Sequence, residues 1–490
     1  MAIRSANHLR YSVSVGIDEV GVVASPGMVD VARSEPPAPL VAAVVEHARG
    51  TTIASLPAAA IESAKTFLLD CFGVAIVGSS TPESRRLPAL VAGWGSGEDA
   101  SIWGRDGRLP APSAAMVNAH QMHCLEYDCV HEPAVVHALT VVTPVLVAWM
   151  QRETHRHGRR MSGADLIVGA AVGVDVAGGL GDVTTTPLRF FRPATNGLLG
   201  AAAALIAVSR ADHAVGVATM GLAYSQVAGT MQPHHEGGPQ ALALQIGFSA
   251  RAAINAWDLA NDSFRGPEQI LEGKFGWFEL IEGAGDPVAF TSRLGEQWEI
   301  TRLSHKPFPS GRASHCAIDG VLQLQREHDF ALADVERVVL RVPSLIKSLV
   351  GRAPYAGMAP GVARLCGRFL VPSALLDHGI DVTTYRDERL SDPRLLAAAE
   401  RVVLEVDDNS NPNALEPQHV LIDLRDGRRL EIHLPEALGS PRRPLTREQH
   451  LHKFRTNLAI AGREGRAERI IELVDRLESL DDLSELFALL

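Results

Sequence analysis

The sequence predicts a mainly helical protein in which both ends of the chain build one large helical domain and a smaller α+β lid domain is inserted into it. Apolar, Ala-rich segments alternate with short loops up to about residue 282, strand-like segments occur only between residues 299 and 434, and helical spacing returns after residue 446. The predicted division is 1–38 extension, 39–298 helical, 299–435 α+β, and 436–490 helical.

Size and composition support two domains in a globular protein. A chain of 490 residues exceeds the usual size of a single core. Hydrophobic residues make up 46% and charged residues 21%, as in globular proteins rather than disordered ones. The formal net charge of -11, without a basic run, excludes a nucleic-acid partner, because phosphate binding needs clustered cations.

Cysteine usage and apolar segments bear on location. Five cysteines without a Cys-x-x-Cys pair argue against a zinc ribbon and for a reducing cytoplasm. No signal-peptide pattern is recognised at the N-terminus. The stretch 133–151 has no Asp, Glu, Lys or Arg, but it contains His137 and Pro144 and has equally uncharged companions at 193–209 and 213–235. We expect a helical core and no membrane partner.

The helical part begins after an extension without sustained periodicity. A buried helix is expected over 59–77, ended by Gly78 with a positive φ. Residues 101–112 predict a short turn or hairpin, and Pro112 opens the next helix. Ser162 to Asp165 resembles a capping box for a helix that ends near residue 181.

The helices and strands expected after residue 184 rest on similar capping and turn signals. Thr195 and Asn196 are expected to cap a helix after the loop 184–193, and the turn 232–239 precedes a helix over 240–261. The α+β part is expected to contain two helices and several strands, the last two forming a hairpin closed by Asp426 and Gly427. The strands are expected at 299–303, 335–342, 401–406 and 419–434, and the helices at 312–325 and 363–377. Thr446 begins the closing helical region.

The stretch from Asn118 to His137 contains the densest group of proton-handling side chains in the chain. Within eighteen residues lie four histidines and three carboxylates, His120, His123, His131, His137, Glu126, Asp128 and Glu132. Apolar segments flank the stretch, and burial moves the pKa values of such groups toward neutrality, which acid-base catalysis requires. Pro133 should leave residues 126–137 as a loop over the core.

The order of motifs resembles that of the MmgE/PrpD family, whose members include 2-methylcitrate dehydratase, cis-aconitate decarboxylase and iminodisuccinate epimerase. The resemblance covers roughly residues 40 to 460. Its signals are Leu69-Asp-Cys-Phe-Gly-Val-Ala-Ile-Val-Gly-Ser79, Asn118-Ala with the acidic loop, Gln245-Ile-Gly-Phe-Ser-Ala-Arg-Ala-Ala253, the turn ending at Gly276, Lys306-Pro-Phe-Pro309 with His315-Cys-Ala-Ile-Asp319, and Lys453-Phe454. It implies a helical domain with a smaller α+β lid, a homodimer, no cofactor and a small carboxylate substrate.

The resemblance transfers only part of the family's active site. Asp128, His137 and Lys306 occupy family positions, and Glu126 stands where an aspartate is usual. Other positions depart from the pattern: Cys129-Val130 for Asp-Thr, Arg192 for a His, Leu242 for a Lys, Gln245 for a His, Gly311 for a His or Cys, and Phe369 for a Tyr. The chain therefore resembles a divergent member.

Each candidate residue has a chemical role and a structural alternative. His137 is the expected base or proton donor, Asp128 orients it, and Lys306 and Arg192 bind carboxylates. The candidate catalytic residues are His137, Lys306, Asp128, Glu126 and His131, and the candidate substrate-binding residues are Arg192, His234, His235, Arg312 and His315. The alternatives are a core or capping role for the histidines and an aromatic or acidic partner for Arg192.

Four functions remain open at this point. The main hypothesis is a cofactor-independent dehydratase of a small polycarboxylate. The alternatives are decarboxylation of an aconitate-like acid, epimerisation beside a carboxylate, and a binding protein that has lost its chemistry. A metal site formed by His120, His123 and His131 is a further alternative, but the family resemblance implies no metal and we expect none.

Overall fold

Helices dominate the part of the chain that the computed structural model describes, residues 38–236 and 239–490. Helix accounts for 58% and strand for 9%, which confirms the mainly helical fold class. The expected extension, residues 1–38, lies outside the described residues except for Ala38, and so does part of the expected turn 232–239.

The helical region is an assembly of long, mostly buried helices. Before residue 300 the α-helices are Val41–Gly50, Ala58–Gly78, Pro82–Ala92, Ala111–His123, Leu139–His157, Gly163–Asp182, Arg192–Ser209, His213–Tyr224, Gln232–His235, Pro239–Asn261 and Pro287–Arg293. After the α+β region they are Arg447–Ile460, Ala467–Asp475 and Ser484–Leu489. A π-helical turn covers Trp277–Ile281. The expected capping boxes at Ser162 and Thr446 are both present.

The α+β region is built around one four-stranded sheet. The strand order is Val402–Val406, Val335–Val342, Gln418–Leu424 and Arg429–Leu434, with the first pair parallel and the others antiparallel. The helices of this region are His315–His328, Ser344–Val350, Pro360–Arg364, Gly367–Asp377, Asp387–Leu390 and Pro393–Ala399. Asp426 and Gly427 close the expected hairpin, and Gly427 has φ 90°.

Each of these two regions is built around its own hydrophobic cluster. The larger joins helices from both ends of the chain, including Phe72, Trp149 and Phe454. The smaller lies between the sheet and the helices of the α+β region, around Phe369 and Val420. The domain boundaries given above stay a prediction.

Gly78 is needed for a close helix contact rather than for a positive φ. The expectation that it ends its helix in the left-handed region is wrong, because Gly78 is helical and Ser79 follows in the right-handed region. A Cβ atom at Gly78 would lie 1.9 Å from the carbonyl oxygen of Gln121. The helices Ala58–Gly78 and Ala111–His123 can approach this closely only with glycine at that position.

Two local expectations are also wrong. The helix expected to start after Thr195 and Asn196 begins at Arg192, with Pro193 in its first turn, and Asn196 donates instead to the carbonyl oxygen of Ala177 on a neighbouring helix. The expected strand 299–303 is a 3₁₀ helix, Glu299–Arg302, followed by the two-residue strand Leu303–Ser304.

That two-residue strand matters for the position of the acidic loop. It pairs antiparallel with Val130–His131, so that Val130 lies opposite Ser304 and His131 opposite Leu303. The loop and the segment before Lys306 are therefore joined through backbone hydrogen bonds across a large separation in sequence.

Membrane-like composition is limited to one helix among the described residues. Gly163–Asp182 is long and apolar enough to cross a bilayer, but 83% of its most apolar window is buried inside the protein. Burial by neighbouring helices accounts for this composition, as expected for a core helix.

Candidate active site

The acidic loop begins where the helix Ala111–His123 ends, and unusual backbone conformations shape it. Glu126 has φ 51° and Val135 has φ 55°, both in the left-handed region. For a β-branched residue such as valine this conformation is strained, at about 1 to 3 kcal/mol. Both residues line the same cavity, so the strained positions coincide with the place where the loop faces an internal space.

Asp128 lies between two histidine rings. Its Oδ2 atom accepts from Nδ1 of His137 at 2.5 Å and lies 3.2 Å from Nδ1 of His123. Asp128 is fully buried, and His137 is nearly so. Because Nδ1 of His137 faces the carboxylate, its Nε2 atom is the one left for chemistry, as in other Asp-His pairs.

Burial and neighbouring charges shift the pKa values of Asp128, His123 and His137 in different directions. Burial raises the pKa of Asp128, but His137, His123 and Lys306 offset this effect and hold it well below its usual range. Burial lowers the pKa of His123, yet Asp128 and Glu126 offset burial and the net pKa is raised. For His137 burial wins over Asp128, and its pKa is lowered. His123 therefore holds a proton more readily than His137 does.

Glu126 and Lys306 form a second buried pair beside the histidines. The Nζ atom of Lys306 lies 3.1 Å from Oε2 of Glu126 and 3.3 Å from its carbonyl oxygen. Burial raises the pKa of Glu126, but Lys306, His123 and His137 offset it and bring the pKa to about 2. The structure thus brings together the acidic loop and Lys306, and Glu126 is ionised at neutral pH.

Two adjoining cavities lie over these groups. The inner cavity, of about 80 Å³, is bordered by His123, Glu126, Val130, His137 and Leu242 among others. The outer cavity, of about 560 Å³, is bordered by residues that include His235, Ser348, Arg352 and Tyr355. Both cavities share a wall formed by Leu188, Met231, His234 and Leu349. The inner cavity has a polar end at the loop and a largely apolar remainder.

Arg192 borders the inner cavity, but its guanidinium already has a carboxylate partner. Its Nε atom lies 3.1 Å from both carboxylate oxygens of Glu282, and its Nη2 atom lies 3.0 Å from Oε2. Its Nη1 atom donates to the carbonyl oxygen of Ala134. Arg192 therefore holds the acidic loop through Ala134. Its guanidinium binds Glu282, although a substrate carboxylate was expected in that place.

Arg312 also borders the inner cavity and is engaged in a similar way. Its Nη2 atom lies 2.7 Å from Oε1 of Glu132 in the acidic loop. Its Nη1 atom donates to the carbonyl oxygens of His305 and Leu438. This arginine connects the loop to the α+β region.

Two of the candidate histidines have structural partners. His131 Nε2 lies 2.7 Å from Glu299, and its Nδ1 accepts from the backbone N–H of Ala134. His315 Nε2 donates to the carbonyl oxygen of Ser310 at 3.2 Å, and it is fully buried. Neither histidine borders either cavity.

His234 and His235 lie at the cavities, in the short helix Gln232–His235. His234 borders both cavities, and burial followed by the charge of Arg352 lowers its pKa to about 4. His235 is exposed and borders only the outer cavity. His234 is therefore neutral at pH 7 and lies where the two cavities meet.

Comparison with known protein families identifies the chain. The model of the MmgE/PrpD N-terminal domain matches residues 42–288, and that of the MmgE/PrpD C-terminal domain matches residues 308–479.

The chain belongs to the MmgE/PrpD family.

Curated relatives extend the family match along most of the chain. A cis-aconitate decarboxylase of Mus musculus is 28% identical over 88% of this chain and 89% of its own length. That of Homo sapiens is 28% identical over 90% and 92%. One from Aspergillus terreus is 23% identical over 89% and 92%. These names support the lyase class, and they favour the decarboxylase alternative over the dehydratase hypothesis.

The departures from the MmgE/PrpD pattern have distinct positions. Leu242 and Gly311 border the inner cavity. Gln245 accepts from the backbone N–H of Thr230 at 2.8 Å, and Phe369 is fully buried in the smaller hydrophobic cluster. Leu242 and Gly311 thus make this wall of the cavity less polar than the family pattern implies.

The described residues contain two buried groups of potential metal ligands, and neither is the trio His120, His123 and His131 that was considered as an alternative. His120 contacts Ser84 and His131 contacts Glu299, so these two do not converge with His123. The groups that do converge are His123, Asp128 and His137, and Asp70, His305 and His450. In the second group the ammonium of Lys453 lies 2.8 Å from Asp70, and its charge disfavours a divalent cation there.

Sequence reasoning missed some of the partners in this site. His123 was weighed only as a metal ligand, although it contacts Asp128, and its position three residues before Glu126 in the same stretch was the available signal. Glu282 lies 90 residues from Arg192 in sequence, and no local pattern marks it.

Proposed function

We propose that this protein is a cofactor-independent decarboxylase of a small unsaturated polycarboxylate of the cis-aconitate type. The observation that carries the proposal is the Asp128–His137 pair, 2.5 Å apart at the polar end of the inner cavity, beside the Lys306–Glu126 pair. The names of the family relatives give the substrate type.

The proposed reaction needs one proton and no redox partner. The bond to the departing carboxylate breaks and its electron pair forms a new double bond to the adjacent carbon. The electron pair of the original double bond moves to the carbon beside a remaining carboxylate, and that carbon takes a proton. Carbon dioxide leaves, and solvent returns the proton to the enzyme.

His137 supplies that proton in this proposal. Its Nδ1 atom is held by Asp128, so Nε2 can face the substrate carbon, and the ionised Asp128 stabilises the imidazolium before transfer. Asp128 is thus a positioning residue, whereas His137 touches the reacting atoms.

Lys306 supplies positive charge next to the reaction. Its present partner, Glu126, is an anion that borders the cavity, and a substrate carboxylate competes with it for the ammonium group. Positive charge placed in advance stabilises the carbanion that forms as carbon dioxide leaves.

Dehydration remains a second candidate, favoured by one observation. The lowered pKa of His137 leaves its ring neutral at pH 7, which suits a base that removes a proton from carbon. In a dehydratase of this family, the Asp128–His137 pair would take a proton from the substrate instead of donating one.

Product analysis tests the proposal. Purified protein incubated with cis-aconitate should release one carbon dioxide per substrate and leave a five-carbon unsaturated dicarboxylate, detected by NMR. His137→Ala and Lys306→Ala should each lower kcat/KM by about 10²-fold or more. Lys274→Ala, which changes an exposed lysine, is the control and should retain wild-type turnover.

Other products would redirect the assignment. Formation of an unsaturated acid from 2-methylcitrate, without carbon dioxide from cis-aconitate, would support dehydration instead. Solvent deuterium uptake without loss of water or carbon dioxide would support epimerisation. Near-wild-type turnover in His137→Ala would remove that residue from the mechanism.

A further inference from the structure

Arg364 is a buried arginine for which the described residues provide no carboxylate partner. It is the last residue of the short helix Pro360–Arg364 and is 7% exposed. No carboxylate of residues 38–236 or 239–490 forms an ion pair with it, and its Nε atom is enclosed without a hydrogen-bond partner. A buried charge without a partner is destabilising, so its presence calls for a ligand or another compensation.

The other buried cations near the site are all paired. The ion-pair distances are 3.1 Å for Lys306–Glu126, 3.0 Å for Arg192–Glu282, 2.7 Å for Arg312–Glu132 and 2.8 Å for Lys453–Asp70. Arg364 differs from these four cations, because each of them has a carboxylate partner within the protein. An incoming anion would find this guanidinium without having to displace a carboxylate.

Arg364 is not among the residues that border either cavity, but it adjoins the wall of the inner one. Its carbonyl oxygen accepts from the backbone N–H of Gly311, and both Gly311 and the next residue, Leu365, border the inner cavity. Burial lowers the pKa of Arg364, and the charge of Glu126, which borders the same cavity, partly offsets this effect. Glu83 influences Arg364 as well, but its carboxylate accepts from Gln240 at 2.8 Å.

An aromatic contact fixes the orientation of the guanidinium. The Cζ atom of Arg364 lies 4.4 Å from the centre of the Tyr385 ring, and the hydroxyl group of Tyr385 donates to the carbonyl oxygen of Pro309. Pro309 belongs to the segment that begins with Lys306. Stacking occupies a face of the guanidinium and leaves the N–H groups of its edge for in-plane hydrogen bonds, the geometry that a carboxylate matches.

We propose that the edge of the Arg364 guanidinium binds a carboxylate of the substrate that takes no part in the reaction. This inference rests on the proposed function, since it assigns a second anionic group to the same substrate. It defines the substrate class as an acid with at least two carboxylates, one at the histidine end of the inner cavity and one reaching Arg364.

A binding measurement tests this role directly. The probe is tricarballylate, a saturated tricarboxylate that cannot undergo the proposed reaction, titrated into wild-type protein and into Arg364→Met by calorimetry. Loss of a charge-assisted contact should weaken the affinity by about 10- to 100-fold. With cis-aconitate the same variant should raise KM far more than it lowers kcat, because the contact is made equally in the ground and transition states.

Thermal stability separates binding from a structural role. Without ligand, Arg364→Met should melt at or above the wild-type temperature, since it removes an uncompensated buried charge. The matched control is Arg192→Met, which leaves Glu282 unpaired and should melt at a lower temperature. Arg364→Lys keeps the charge and should retain part of the tricarballylate affinity.

The outcomes distinguish this inference from the proposed activity. Binding of tricarballylate that depends on Arg364, without turnover of cis-aconitate, would support the inference while the activity fails. Turnover with KM and tricarballylate affinity unchanged in Arg364→Met would overturn the inference alone. A lowered melting temperature in Arg364→Met with unchanged affinity would assign the residue a structural role, and absence of tricarballylate binding by wild-type protein would overturn the inference.

Discussion

The position and the pKa of each side chain in this site depend on the residues that it contacts. Asp128 was expected to orient a ring, and it contacts two. The pKa of His123 is raised because Glu126 acts together with Asp128, whereas burial outweighs Asp128 and lowers the pKa of His137. Lys306 lies next to the acidic loop, 3.1 Å from Oε2 of Glu126. The roles of these residues in catalysis stay predictions, whereas their proximity is a property of the structure.

The pH dependence of turnover should reveal which protonation state of His137 is used. Burial places the pKa of His137 below 6.5, so the protonated ring is present only at lower pH. If His137 donates the proton for decarboxylation, kcat/KM falls as pH rises through that pKa. If it acts as the base for dehydration, kcat/KM rises over the same interval.

A matched variant identifies the group behind that pH profile. His137→Gln should remove the limb below pH 6.5 along with most of the activity, and the residual rate should be measured across the same buffers. A limb that persists unchanged in the variant belongs to the substrate or to another group, and would contradict the assignment to His137.

Sequence reasoning at the residue scale succeeded where groups are close along the chain. Glu126, Asp128 and His137 lie in one short loop, and their grouping is visible in the sequence. The partners of Arg192 and Arg312 lie 90 and 180 residues away, so their pairing depends on tertiary structure. An isolated arginine in the sequence does not show whether its charge is already neutralised.

Secondary-structure elements were predictable where local signals agree. The capping boxes at Ser162 and Thr446 and the hairpin turn at Asp426 and Gly427 each combine a specific side chain with the expected spacing. The start of the helix at Arg192 was missed because Thr195 and Asn196 resemble caps. The better signal was Pro193, which favours the first turn of a helix.

Gly78 offers a test at the scale of helix packing. Gly78→Ala would place a Cβ atom 1.9 Å from the carbonyl oxygen of Gln121, and the helix Ala111–His123 would have to move. We expect a loss of about 2 to 3 kcal/mol in the free energy of unfolding, as for other overpacked cores. Denaturant unfolding followed by circular dichroism measures this change.

A second glycine provides the control for that measurement. Gly50 ends the helix Val41–Gly50, and a Cβ atom there would meet nothing within 4 Å. Gly50→Ala should leave the free energy of unfolding unchanged or raise it by less than about 1 kcal/mol. Equal stability of the two variants would contradict the close-contact explanation for Gly78.

At the scale of the whole molecule, the sequence predicted the fold class but not the way its parts connect. Helical periodicity before residue 282 and strand patterns after residue 299 were sufficient for the mainly helical assignment. The pairing of Val130–His131 with Leu303–Ser304 was not foreseen, because strands of two residues carry no recognisable pattern.

The homodimer that the family resemblance implies stays a prediction for the intact protein. Sedimentation velocity should give a single species of twice the 52.5 kDa chain mass at micromolar concentration. A monomer under those conditions would contradict it.

We also retain the proposal of a cytoplasmic location, and all five cysteines are unpaired in the structure.

The two-residue pairing between the acidic loop and the segment before Lys306 bears on how substrate enters and product leaves. Backbone hydrogen bonds join these two segments, and the Lys306–Glu126 ion pair links them a second time. Leu349, Val350 and Leu365, which belong to neither segment, also border the inner cavity. We therefore expect these two segments to keep their mutual spacing while substrate enters and product leaves.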